Sequence, residues 1–314
     1  MAVELRPLQS FGVEVVGLDL SGPVPDSVKA QVRAAWLEHG VVLFRGIGVD
    51  AEVQLELSQW FGDLLSNEDN YALKSLSVAG SKDLIEVSRG GTPTSPSYYI
   101  DGQLKAGYLF WHQDLVYTPS ICKGSLLRMV EKCDVDGQTG WIDTAMVYDA
   151  LSEEMKARIE GMEVRHRLRV TLDGVPFGLP ASLREASQEE APYTATTVPL
   201  LPDVVHPLVQ VHPETGRKSL GISPLGLVDI LGLPKAESDA LLKELVAFTL
   251  QPRFMYIHEW QNNDMVAWDN RRTVHSVLGY PYGQKRIAHR ATLAGEMHSG
   301  RYYEENANAA IADG

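Results

Sequence analysis

The chain has 314 residues, enough for one large domain or two small ones, and its 44% hydrophobic content supports a substantial core. A formal net charge of −13 argues against a nucleic-acid partner, which would show a basic stripe, but it leaves an anionic small molecule open because one pocket can be basic on an acidic protein. The two cysteines, Cys122 and Cys133, make neither a disulfide framework nor a zinc cluster. They could pair with each other, but buried free thiols are the simpler reading. No basic leader followed by an apolar run precedes the first elements, and no uninterrupted apolar stretch of about 18 residues exists to span a membrane. A soluble protein of the reducing cytoplasm is the expectation.

Residues 8 to 22 alternate loosely and predict short strands ending in the turn Ser21-Gly22-Pro23. Asp26 to His39 predicts a helix: Asp26 suits an N-cap, Val28, Val32, Ala35 and Trp36 form an apolar stripe, and Gly40 ends it. Val41 to Arg45 reads as a buried strand and Ala51 to Phe61 as a second helix closed by Gly62. From residue 83 the pattern turns strand-like, with Asp83–Ser88, Ser125–Glu131 and Trp141–Asp143, followed by a helix over Val147–Glu160. Thr171 to Pro202 shows no sustained period. A segment that long is usually functional, so it reads as an active-site lid, with a surface insertion as the alternative. Ala236 to Leu250 is a strong amphipathic helix, and Phe254–His258, Met265–Trp268 and Ile287–Leu293 return to strands. The tail from Glu304 to Gly314 reads as frayed. Many short strands with few helices between them predict a mainly β chain, with two sheets packed as a sandwich or jelly roll and helices flanking them.

The chemistry concentrates in Trp111-His112-Gln113-Asp114. On an extended segment a His-x-Asp pair presents both side chains to one face, so an imidazole nitrogen and a carboxylate oxygen reach a common point. With Trp111 before it and Leu115-Val116-Tyr117 after it, the pair interrupts an apolar extended run, where a bare carboxylate is costly unless it is paired or metal-bound. His275 could add a third ligand. Two histidines and one carboxylate with an open face is the arrangement of non-haem Fe(II) oxygenases. Further on, Arg286, Ala288 and Arg290 share one face of a strand, and two such arginines need anionic partners, either structural carboxylates or a bound anion. His206 and His212 stand in His-Pro dipeptides and read as turn and sheet residues, not ligands. His289 faces away if Arg290 faces the pocket.

Taken in order, several runs resemble the taurine dioxygenase / 2,4-dichlorophenoxyacetate dioxygenase family of Fe(II)- and 2-oxoglutarate-dependent oxygenases. These are Gly40-Val41-Val42-Leu43-Phe44-Arg45-Gly46, Phe61-Gly62-Asp63-Leu64, Trp111-His112-Gln113-Asp114, Gly137-Gln138-Thr139-Gly140-Trp141, the His206-Pro207 and His212-Pro213 pair, Trp260-Gln261-Asn262-Asn263-Asp264, Trp268-Asp269-Asn270-Arg271 before His275, and His289-Arg290-Ala291-Thr292. The resemblance spans roughly residues 8 to 296 and so treats residues 1–314 as a single catalytic domain. It implies a double-stranded β-helix, with Fe(II) on His112, Asp114 and His275. It implies that 2-oxoglutarate is held by Thr139 and Arg286, and that Arg290 lies near the anionic group of the primary substrate. It also implies use of O2, release of succinate and CO2, and a possible homo-oligomer.

The expected reaction is oxidation of an unactivated C–H bond of a small carboxylate-bearing or aromatic metabolite, most simply hydroxylation. Desaturation, ring closure or cleavage at a heteroatom-bearing carbon share the same cofactors, and Asp114 argues against halogenation. Asn70, Tyr71, Tyr99 and Tyr108 are candidate substrate contacts, able to stack on an aromatic ring or surround a cation, or else ordinary sheet residues. Tyr108 stands where the taurine enzyme has a polar amide, which argues against taurine. Two other classes compete: a cupin-like binding module without catalysis, and a zinc hydrolase on the same ligands, for which no His-Glu-x-x-His base is present.

Overall fold

A computed structural model describes residues 3–67, 77–78, 80–88, 93, 95–195, 200–295 and 297–304. Two sheets face each other. The larger has seven strands, in the order Glu4–Pro7 (β1), Val13–Val16 (β2), Val41–Phe44 (β3), Met265–Asp269 (β16), Gly124–Glu131 (β7), Ile287–Leu293 (β18) and Leu84–Ser88 (β4). The smaller has six, in the order Arg184–Glu185 (β10), Tyr98–Ile100 (β5), Gln103–His112 (β6), Thr273–Pro281 (β17), Thr139–Asp143 (β8) and Met255–His258 (β15). Within these sheets β2 and β3 run parallel, and the other pairs are antiparallel. A four-stranded sheet, Leu227–Ile230 (β14), Glu163–His166 (β9), Val204–Pro207 (β11) and Arg301–Tyr302 (β19), and the hairpin Val209–Val211 (β12) with Lys218–Leu220 (β13) complete the β structure. The two facing sheets make the jelly roll that the strand pattern predicts.

Period-two alternation builds the layers. In β3, Val41 and Leu43 point between the sheets with Leu127, Met129, Trp141, Val266, Trp268 and Ala288. The alternate residues Val42 and Phe44 point outward, where Trp36 and Phe61 cover them. Outside the smaller sheet, Trp111, Ile142 and Val274 pack against Leu241, Leu242, Leu245 and Val246. Four of the helices supply the cover: Asp26–His39 (α1) and Ala51–Gln59 (α2) on the larger sheet, Thr144–Asp149 (α3) and Lys235–Thr249 (α5) on the smaller. In α1 the stripe Val28, Val32, Ala35 and Trp36 is buried as its spacing predicts. Burying each valine contributes about 1.5–3 kcal/mol. Gly40 adopts φ 75° and donates its N–H to Trp36 O, which closes the helix.

Three local expectations are corrected. Asp26 is not the N-cap of α1; Pro25 holds that position and Asp26 sits in the first turn without a side-chain cap bond. The helix expected over 147–160 is two short ones, α3 and Glu153–Ile159 (α4), because two capping residues compete: Asp143 accepts from Ala145 N and Met146 N, and Ser152 accepts from Met155 N. The extended run through Tyr117 stops at His112, and Leu115 turns the chain at φ 57°. Residues 171–195 are largely irregular but tied down: Leu172 N donates to Tyr98 Oη, Ala186 N donates to Ser97 O, and β10 pairs with β5. A cavity of about 360 Å³ lies between this segment and Tyr98. Cys122 and Cys133 are unpaired and buried. No helix of the described residues is long and apolar enough to cross a membrane.

A buried ion pair ties the layers together. Arg272 Nε donates to Asp143 Oδ1 at 3.2 Å, its Nη2 pairs with Asp143 Oδ2, and its Nη1 donates to Leu37 O and Glu38 O at the end of α1. Removing one partner of such a pair leaves an uncompensated buried charge. The Arg272→Met protein is therefore expected to lose about 3–5 kcal/mol of unfolding free energy in urea titrations; a loss below about 1 kcal/mol would show that Asp143 needs no counter-charge there.

Candidate active site

Register places the two histidines. His112 ends β6, and its Cα partner on β17 is His275, so the imidazoles project side by side with ring centroids 4.1 Å apart. Asp114 reaches the same point from the turn beyond the strand. Its carboxylate lies 3.6 Å from His112 Nε2 and 3.8 Å from His275 Nε2. One donor atom from each of the three side chains falls within 4.8 Å of the others, and this is the single such group of potential metal-ligating side chains among the described residues. His112 Nδ1 sits 2.9 Å from Phe110 O, so a proton on Nδ1 leaves the Nε2 lone pair facing the group.

Electrostatics suit a cation at this point. Burial alone would raise the Asp114 carboxyl, but the charge of Arg290, with His275 and His112, outweighs burial and holds it well below the usual carboxylate range. Burial, reinforced by His112, pushes His275 well below the ordinary imidazole value, so it is neutral and able to ligate. Arg290 Nη1 donates to Asp114 Oδ2 at 2.8 Å. Two imidazoles and a carboxylate, with no thiolate, are a donor set that fits a ferrous ion and leaves coordination positions open.

The loop that carries Asp114 is clamped by a residue the sequence reading passed over. Asn270 Oδ1 accepts from Asp114 N at 2.9 Å, and Asn270 Nδ2 donates to Asp114 O at 2.9 Å and to Cys122 O at 3.2 Å. Gln113 Nε2 in turn donates to Asn270 O at 2.6 Å. Tyr117 was passed over as well. Burial and then the Asp114 charge push its hydroxyl above the usual phenol value, which places it in the field of the carboxylate. The sequence signal for Asn270 was its place just ahead of His275; nothing local marks Tyr117.

On β8, Trp141 is the Cα partner of His275 and Thr139 the partner of Val277. Thr139 therefore shares the face of the histidines, roughly 7 Å along the strand. Arg286, which precedes β18 in the opposite sheet, donates from Nε to Gly137 O at 3.0 Å and from Nη2 to Thr139 Oγ1 at 3.2 Å. It is 1% exposed, and burial lowers its guanidinium to about 10. A cavity of about 200 Å³ opens beside it, lined also by Lys132, Cys133, Gly137 and Trp260.

The structure thus gathers His112, Asp114, His275 and Arg290 at one point, and Thr139 with Arg286 beside it. Tyr99 lies at the sheet edge under the Arg184 guanidinium, 4.2 Å from its ring centroid. Tyr108 packs edge-on against Tyr98 at 6.3 Å. No hydrogen bond or ring contact joins either tyrosine to the triad among the described residues. Asn70 and Tyr71 lie outside the described residues. Five other histidines have partners or places of their own: His206 faces Val116 O, His212 faces Asp269, His258 faces Asp264, His289 points toward Glu86, and His166 is fully buried in β9.

Comparison with known proteins agrees with this geometry. The profile of the family described as "Taurine catabolism dioxygenase TauD, TfdA family" matches residues 4–292. An (S)-phenoxypropionate/alpha-ketoglutarate-dioxygenase of Sphingobium herbicidovorans is 32% identical over 95% of this chain and 97% of its own. An alkylsulfatase of Acinetobacter baylyi is 29% identical over 96% and 87%. Among solved structures, one described as a taurine dioxygenase from Burkholderia xenovorans superposes with a TM-score of 0.73 at 27% identity, covering 99% of this chain and 98% of its own. With the matched profile running through both ends of the His-Asp-His group, the chain belongs to the TauD/TfdA family and is an Fe(II)- and 2-oxoglutarate-dependent dioxygenase.

Proposed function

We propose that His112, Asp114 and His275 bind the iron, that Thr139 and Arg286 hold the distal carboxylate of 2-oxoglutarate, and that Arg290 receives the anionic group of an aryloxy carboxylic acid. Oxidation then falls on the carbon that bears the ether oxygen. The observation that carries the substrate class is Arg290: it spends Nη1 on Asp114, while its buried Nε has no partner among the described residues. A guanidinium in that condition calls for an anion, and its planar fork suits a carboxylate. Support for the ether comes from the named relatives, since phenoxypropionate and an alkyl sulfate share an anionic group and a carbon bonded to oxygen.

Bound Fe(II), with 2-oxoglutarate and O2, supplies the oxidation, one oxygen atom entering the substrate C–H bond and the other the succinate formed with CO2. The hydroxylated carbon of an aryl ether is a hemiacetal-type centre, which expels the phenol and leaves a carbonyl. The protein's own part is placement. Arg290 orients the anion next to Asp114, Arg286 neutralises the co-substrate's far end, and the closed sheet interior excludes water.

Two assays separate the parts of this reading. His112→Ala and His275→Ala should each lower Mn(II) affinity at least tenfold by equilibrium dialysis, while Arg286→Ala should retain Mn(II) and weaken 2-oxoglutarate binding about tenfold or more, as expected for a lost charge-assisted pair. Unchanged metal affinity in both histidine variants would remove them from the site. In a screen of 2-oxoglutarate-coupled O2 uptake, aryloxy acids should release phenol and succinate in equal amounts; turnover confined to sulfate esters, sulfonates or amino acids would refute the substrate class.

The lid role of residues 171–202 draws support from the described stretch 171–195, which is anchored around the cavity at Tyr98. The unpaired, buried thiols suit a reducing compartment, and the assembly follows the family resemblance, a homo-oligomer. Slower proteolysis within 171–202 when Mn(II), 2-oxoglutarate and substrate are bound, and a multiple of the chain mass in light scattering, are the expected outcomes; equal cleavage rates and a monomer mass would refute them.

A further inference from the structure

We propose that Trp260 is a positioning residue for 2-oxoglutarate: by donating its indole N–H to Thr139, it forces the threonine hydroxyl to donate its own proton to the co-substrate carboxylate. This rests on the reading above that Thr139 faces that carboxylate. A hydroxyl has two acceptor lone pairs and one proton. Thr139 Oγ1 accepts from Trp260 Nε1 at 3.1 Å and from Arg286 Nη2 at 3.2 Å, so both lone pairs are engaged. No described residue accepts its proton. With the side chain 1% exposed, the proton is turned toward the remaining direction, the interior of the site.

The indole is itself held in place. It stands edge-on to His258, with centroids 4.5 Å apart and planes at 89°, and 6.3 Å from Trp141. His258 is fixed from both nitrogens, by Tyr256 Oη at 2.7 Å and by Asp264 Oδ2 at 3.0 Å. His258 and Thr139 are also Cα partners across β15 and β8. Two side chains, Arg286 and Thr139, therefore face the far end of the diacid, and Trp260 acts on it only through Thr139. Without the indole, one lone pair is freed and the hydroxyl rotates between acceptor and donor states, so the site is no longer set in advance for an anion.

The test is a double-mutant cycle read by calorimetric titration of 2-oxoglutarate into the Mn(II)-loaded full chain, with no turnover involved. Trp260→Phe should weaken 2-oxoglutarate binding about 5- to 10-fold, the loss of one hydrogen bond's worth of orientation, with Mn(II) affinity unchanged. Thr139→Val should weaken it at least as much, and Thr139→Ser should restore near-normal affinity. Adding Trp260→Phe to Thr139→Val should then cost less than twofold more. An equal penalty in both backgrounds would mean that Trp260 acts by packing alone, and no penalty in the Thr139-containing protein would end the proposal directly. If Thr139→Val itself leaves binding untouched, the failure belongs to the placement of the co-substrate.

Discussion

A carboxylate buried between two sheets is the constraint on which the rest of this molecule turns. Asp114 has left the strand, so no ladder bonds fix its backbone, and burial opposes its charge. Both problems are met from outside its own element. Asn270 grips its N–H and C=O as a neighbouring strand would, and Arg290 brings a counter-charge across from the opposite sheet. A lone buried carboxylate would cost several kcal/mol and protonate instead. Held this way it stays ionised beside the imidazoles of His112 and His275, an arrangement in which three side chains can serve a divalent cation.

Polar groups elsewhere in the interior follow the same logic. Asp269 takes His212 and the fork of Arg271, and Arg271 passes on to Glu214. Arg272 joins Asp143 to the end of α1. These contacts sit in the segment that leads from β16 into β17, so the turn that delivers His275 is held by side chains on both flanks. The cost of burying so many charges is offset only when all partners are present, which makes this region unforgiving of single substitutions.

Much of the fold was legible because alternation and capping are local. The stripe of α1, the glycine that closes it and most of the strands stand where their patterns put them. The break between α3 and α4 was not seen because Ser152 competes with a continuing helix on nearly equal terms. The assumption of an extended Trp111–Tyr117 was wrong for a different reason: a positive φ at Leu115, a residue that seldom adopts it, depends on tertiary contacts and leaves no mark in composition. His112, Asp114 and His275 could be named because their types and motif are specific. Their convergence could not be read, since it depends on which strand lies beside β6. Tyr99 and Tyr108 show the limit from the other side: closeness in sequence to a motif does not fix a side chain's neighbours, and theirs are Arg184 and Tyr98.

The pairing of β6 with β17 joins residues far apart along the chain. Until the late strand docks, the two imidazoles are separate and no metal pocket exists. On the ligation proposed above, the metal site is therefore complete only once β6 and β17 have paired, so metal capture reports a finished fold.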